Sequence, residues 1–295
     1  MFIQTARLKP QKRAYAWNTL STIIALASST LALPVLSSFL DSQQLGIWFV
    51  FLALGSFSQL LDFGFQPTIV RNISLVLSGA EEVLQQGISC RKSGDSAVNI
   101  GLLLDLVSSA RFIYRRLALA VCCLMMIPLS GYVMFLVGSL PSIHLYLAAW
   151  LIFALSCSLN FYYGYATAIV IGSGHQQVAY KYQSLSRLIT LFLSCLVVFL
   201  GFGIIGLSIA HLLGSALFRL LLVGYLCRNV QYFPPNLYSS NSGQGSTFAS
   251  LWFNAKRLGS VQVGAFLIQK ASLLVAATSL GLASSASYSL TVTLL

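Results

Sequence analysis

Acidic side chains are scarce in this chain, which has six Asp and Glu against 17 Lys and Arg in 295 residues and a formal net charge of +11. Asp41 falls in a short turn, Glu81, Glu82 and Asp95 on one polar connector and Asp105 beside it. Only Asp62 belongs to a long apolar run. A cation pump needs carboxylates buried in its spans, so the shortage argues against one. His144, His175 and His211 are far apart, with no Cys or carboxylate at ligand spacing, which gives no support to a metal site. Cys90, Cys122, Cys123, Cys157, Cys195 and Cys227 show no metal-ligand spacing either and read as small apolar fillers. No catalytic residue, cofactor or enzyme activity is expected.

Apolar sequence dominates instead. With 57% hydrophobic and 8% charged residues, the chain has too little polar surface to cover a soluble domain of this length. A helix needs about 20 apolar residues to cross the hydrocarbon of a bilayer. Crossings are expected at Trp17 to Phe39, Leu45 to Val70, Leu117 to Leu140, His144 to Ile171, Leu188 to Leu200, Leu207 to Cys227 and Gly259 to Leu280, with an eighth opening near Ser284. The fifth is short unless it extends into Gly201. The first is longer than a signal-peptide core and is followed at once by another span, so it stays in the mature chain. The class is an all-α, multi-pass transmembrane helix bundle.

The basic residues orient it. They occupy alternate connectors, apart from those embedded in two runs, and Arg7, Lys9, Lys12 and Arg13 precede the first run. Lys and Arg stay on the cytoplasmic side during insertion, which puts the N-terminus inside and the bare turns outside, in a cytoplasmic (inner) membrane. Charges placed at span ends meet anionic inner-leaflet lipid, so no nucleic-acid partner is needed to explain the net charge.

The outer turns, Leu40 to Gln44, Pro141 to Ile143, Gly201 to Gly206 and the stretch near Gly281, are too short to build an outer domain. Gly201, Gly203 and Gly206 fit G-x-G-x-x-G, but between two spans they allow a tight connection rather than a dinucleotide site. Inside, Val98 to Arg116 carries Leu102, Leu106 and Ile113 on one helical face, with Arg111 and Arg115 four apart, as a surface helix or a basic anchor would. Trp48 and Trp150 are expected near outer boundaries and Trp17 and Trp252 near inner ones. Pro34, Pro67 and Pro128 lie within spans, as static kinks or as flexible points of a moving helix.

Asn229 to Phe248, with Pro234, Pro235 and a Ser, Asn and Gly run, marks the main boundary. It divides a six-helix lobe (1–228) from a cytoplasmic linker (229–258) and the start of a second lobe (259–295), the pattern of a two-lobe transporter. On that reading the second lobe stops short at Leu295, as a natural truncation or a fragment.

Two cations stand inside runs. Lys270 is about eleven residues into its span, near the midplane at about 1.5 Å per residue. Arg219 lies closer to the inner end and either snorkels or faces a cavity. Placing Lys or Arg at the centre of a span costs about 2.5–3.5 kcal/mol, so such a group faces a wet cavity or a partner. A cavity holding both is electropositive and suits an anion. Asn160, Tyr162, Tyr163 and Tyr165 offer amide, hydroxyl and ring faces to a sugar, or pack against neighbouring helices.

Leu45, Gly46, Ile47, Trp48, leading to Leu60, Leu61, Asp62, Phe63, Gly64, Phe65 and Arg71, resembles the second helix of the Wzx-type polysaccharide flippases, in the multidrug and oligosaccharidyl-lipid exporter superfamily. Gly206, Leu207, Ser208, Ile209, Ala210 is similar to the family's link between helices five and six, and Gly164 to Gly174 to its fourth helix and inner turn. The resemblance implies a MATE-like two-lobe transporter. It also implies flipping of an undecaprenyl-diphosphate-linked oligosaccharide by alternating access, for surface polysaccharide synthesis.

On that reading Lys270, Arg219, Arg71, Asn160 and Tyr163 face substrate, and Asp62 offsets Arg71 or takes a coupling proton. The partners are the lipid-linked oligosaccharide, the bilayer and other membrane proteins of polysaccharide assembly. A drug or cation antiporter of the same superfamily, a membrane glycosyltransferase or polymerase, and a non-transporting remnant are the rivals.

Overall fold

The computed structural model describes residues 8–80, 99–138, 140–229, 264, 272–279 and 281–294, and all regular structure among them is helical. In chain order the helices are α1 (Leu8–Phe39), α2 (Ser42–Leu60), α3 (Phe65–Leu77), α4 (Ile100–Met126), α5 (Pro128–Val137), α6 (Ile143–Tyr162), α7 (Gly164–Gly172), α8 (Gln176–Phe199) and α9 (Gly203–Asn229). Two further helices span Ser272–Ser279 and Leu282–Leu294. Five segments are long and apolar enough to cross a membrane: Tyr15–Phe39, Ile100–Val137, Ile143–Gly172, Gln176–Phe199 and Gly203–Asn229. The protein is a multi-pass membrane helix bundle. The linker expected at 229–258, apart from Asn229, and most of the seventh expected crossing, Lys270 included, lie outside the described residues.

Three passages through the bundle are broken. The expected second crossing divides at residues 61–64, where Phe63 (φ 45°) and Gly64 (φ 78°) adopt left-handed backbone in succession. A left-handed Phe is strained, and such strain persists only where the surroundings fix it. The break precedes Pro67, which sits in the first turn of α3, where a missing N–H is tolerated. Pro128 opens α5 after a break at Ile127. The Ser130 hydroxyl donates back to the Met125 carbonyl at 3.0 Å. The third interruption is Tyr163, between α6 and α7. Pro34, by contrast, lies inside a continuous α1.

Two expected boundaries move. The surface helix of 98–116 and the first part of the third crossing, as far as Met126, are one continuous helix, α4, whose first turn is capped by Asn99 accepting the Leu102 N–H at 3.1 Å. The fifth crossing gains its length toward the N-terminus: α8 has 24 residues, beginning at Gln176 rather than Leu188. Arg187, expected on a connector, is therefore near the centre of a helix.

In the packing order, α1 lies on α8, α8 on α9, α9 on α6 and α6 on α4, while α3 packs on α7 and α2 on the helix Leu282–Leu294. Small residues set the closest crossings, as is common between membrane helices. A Cβ on Gly214 would fall 1.7 Å from the Thr190 hydroxyl, and one on Gly206 1.7 Å from a Val197 methyl, so α8 and α9 meet at backbone distance. Trp48 and Trp150 are buried between helices: Trp150 is tilted against Phe51 and stacks with Phe153, and its indole N–H donates to Ser130 Oγ at 2.8 Å.

Candidate functional site

The apolar core is divided in two. One cluster gathers Trp48, Phe51 and Leu54 of α2 with Trp150 and Phe153 of α6 and Leu207 of α9. The other gathers Phe65, Ile69 and Ile73 of α3 with Leu103, Leu106 and Tyr114 of α4 and Ile169 of α7. The boundary follows the breaks at 61–64 and Tyr163, and there the polar side chains collect. A buried polar group in such surroundings needs a hydrogen-bond partner, and Arg219, Asp62 and Tyr114 each have one.

Arg219 of α9 reaches into that layer. Its Nε donates to Asn160 Oδ1 at 2.6 Å, and one terminal nitrogen donates to the Tyr163 carbonyl at 3.4 Å and to the Thr167 hydroxyl. The interruption at Tyr163 turns that carbonyl away from regular helical bonding, and it accepts Ala166 N–H at 3.1 Å as well as Arg219. The guanidinium also lies 4.9 Å from the Phe218 ring centroid. All its hydrogen-bond partners named here are neutral, so its positive charge is held in place without being cancelled.

Asp62, at the other break, accepts the Tyr114 hydroxyl at Oδ1 (2.8 Å) and the Gln66 N–H at Oδ2 (3.3 Å). Tyr114 fits there because residue 164 is glycine: a Cβ at that position would stand 2.6 Å from its ring. Tyr114 lies within electrostatic range of both Asp62 and Arg219. It therefore links the two broken helices.

A cavity of about 470 Å³ opens beside this layer among α1, α2, α6, α8 and α9. Its cations are Arg187 and Arg219, and among the described residues no carboxylate lines it. Asn160, Gln183, His211 and several hydroxyls supply neutral polar groups, while Trp48, Leu36 and Phe218 supply apolar wall. His211 is fixed by Ser156 Oγ, 3.0 Å from its Nδ1, and Ser156 is 2.8 Å from Ser215 Oγ. Its ring lies 4.9 Å from that of Phe153. Such a site presents fixed positive charge and hydrogen-bond donors to a ligand in surroundings of low dielectric, where both act strongly. No three His, Cys, Asp or Glu gather to hold a metal among the described residues.

The expected site residues are thus distributed unequally. Arg219 and Asn160 line the cavity and are bonded to each other. Tyr163 contributes its backbone carbonyl, and its ring packs edge-on against Tyr162. Arg71 is exposed on α3 and does not line this cavity. Asp62 joins the layer through Tyr114. Lys270 is outside the described residues.

Arg187, Tyr114, Thr167 and His211 were not anticipated. For Arg187 a signal existed: Gln183, Ser186, Arg187, Thr190 and Ser194 recur at spacings of three and four, a polar stripe on one helical face. No family model, curated protein or solved structure matches this chain.

Proposed function

We propose that this chain is a Wzx-type flippase of the cytoplasmic membrane, moving an undecaprenyl-diphosphate-linked oligosaccharide from the inner to the outer leaflet for surface polysaccharide synthesis. The observation that carries the reading is the cavity with two arginines and, among the described residues, no lining carboxylate. A diphosphate has to exchange its hydration for comparable partners on leaving water. Arginine supplies them best, because its planar fork matches phosphate oxygens and stays charged when partly buried. Asn160, Gln183 and the cavity hydroxyls suit sugar hydroxyls, while the prenyl tail remains in the lipid.

Residues 1–228 then form one lobe and 259–295 belong to a second, joined by the cytoplasmic linker 229–258, with the N-terminus inside. Rocking of the lobes about the cavity provides alternating access. The close approach of Gly46 on α2 to the Leu282 carbonyl supplies a packed surface along which the lobes meet. Lys270 adds a third cation from the second lobe, and Asp62 takes a coupling proton that Tyr114 relates to Arg219.

Deleting the gene in its host and measuring in which leaflet lipid-linked oligosaccharides accumulate tests this. Build-up on the cytoplasmic face, relieved by the intact gene and not by an Arg219→Ala version, is the expected result. Absence of any build-up overturns it and favours export of a drug or cation.

A further inference from the structure

Arg187 and Arg219 line one cavity but are held differently. Arg219 is fixed by Asn160, Thr167 and the Tyr163 carbonyl. Arg187, from the middle of α8, donates at 2.9 Å to the backbone carbonyl of Ser21, in the middle of α1. A neutral backbone carbonyl is a weaker partner for a guanidinium than an oxyanion, because a hydrogen bond with charge on both sides is about twice as strong as a neutral one. Ser21 is 3% exposed, so this contact sits where the two helices meet.

The two sides of α8 also differ. Toward α9 it is locked: Gly214 lies against Thr190, Gly206 against Val197, and the Ser186 hydroxyl donates to the Gly214 carbonyl at 2.7 Å. Toward α1 the packing is nearly as extensive but has no such close backbone crossing among the contacts named here, and the cavity opens beside it, with Ser28, Ala32 and Leu36 forming its wall. The other face of α1 exposes Leu20, Ile23, Leu26 and Leu31. Its packing is chiefly on α8, with slight contact to α2 and the helix Leu282–Leu294.

We infer that Arg187 is a second ligand for the anion, and that it binds by exchanging the Ser21 carbonyl for a substrate oxygen, so that anion binding releases α1 from α8. The inference rests on the anion-binding reading of the cavity. Arg219 anchors the substrate and Arg187 reports its arrival. The helix that moves is the one walling the cavity, which gives the ligand the differential affinity for two states that any ligand-driven change requires.

Amide hydrogen exchange of the full chain in detergent, followed by mass spectrometry across Tyr15–Ser28, tests this with inorganic pyrophosphate and farnesyl diphosphate as probes. Calorimetry on the same samples reports binding. In the wild type, either probe is expected to raise exchange in this stretch about tenfold, the change expected from losing one hydrogen bond to a charged donor. Arg187→Ala is expected to exchange fast without a probe, respond no further and bind more weakly.

Binding in the wild type with exchange in α1 unchanged or slowed overturns the exchange of partners and leaves the proposed function standing. Binding of neither probe overturns both. Should Arg187→Ala fail to fold, the wild-type comparison alone decides.

Discussion

Tyr114 donates its hydroxyl proton to Asp62 at 2.8 Å, and its ring occupies the space left by the missing side chain of Gly164. One residue of α4 thereby fixes the break between α2 and α3 against the break between α6 and α7. Gly164→Ala forces a methyl to 2.6 Å from the ring and is expected to destabilise the protein by about 1–3 kcal/mol through overpacking. Tyr114→Phe leaves a half-buried carboxyl one partner short and is expected to lose about 1–3 kcal/mol. Thermal denaturation in detergent measures both. Tyr114→Ala combined with Gly164→Ala should lose less than the sum of the single changes, because the clash partner is gone.

The crossing of α8 and α9 depends on Gly214. Its hypothetical Cβ meets the Thr190 hydroxyl at 1.7 Å and the Thr190 Cβ at 2.9 Å, and a β-branched side chain cannot swing aside freely. Gly214→Ala is therefore expected to separate the helices and lower the melting temperature. Thr190→Ala in the same chain removes the hydroxyl but keeps the Cβ, and should restore part of the loss. If Thr190→Ala brings no recovery, the close approach is not what limits the site.

Arg219 is held by three neutral groups arranged around a planar fork, an arrangement that an ammonium cannot reproduce. Arg219→Lys is expected to reduce pyrophosphate affinity about tenfold or more although the charge is kept, since each lost charge-assisted bond is worth about 1.5–3 kcal/mol. Asn160→Leu frees the Nε donor and lets the guanidinium turn, and should weaken binding less than Arg219→Lys. Titration calorimetry ranks the variants, and an unimpaired Arg219→Lys would show that charge alone, not geometry, serves the site.

The bundle and most of its turns were legible because run length is a coarse property that hydrocarbon thickness enforces. Arg219 stood out for the same reason, as a lone charge inside an apolar run. Arg187 did not, because its polar stripe, Gln183 to Ser194, lowers the local hydropathy and makes half of α8 resemble a connector. Pro128 marked its break correctly, whereas the break near Pro67 is set upstream by Phe63 and Gly64. Tyr114 was invisible in sequence because its partners, Asp62 and Gly164, are about 50 residues away on either side. The partner of the Trp150 indole was equally invisible, since Ser130, which accepts its N–H, lies 20 residues away on another helix.

His211 lines the cavity, but its surroundings identify a wall rather than a ligand. The ring lies between Phe153 and Trp48, and Nδ1 meets Ser156, which also meets Ser215. Ser156→Ala leaves His211 Nδ1 without its hydroxyl partner, while Ser215 keeps its bond to the Leu212 carbonyl, and is expected to destabilise the protein by about 1–3 kcal/mol. His211→Phe combined with Ser156→Ala removes both partners and replaces the imidazole by a ring suited to the aromatic box, so it should come within about 1 kcal/mol of the wild type. Pyrophosphate affinity separates the two roles. A wall residue leaves it unchanged in His211→Phe, because Arg187 and Arg219 remain, whereas a tenfold loss would place His211 beside them as a third donor to the anion.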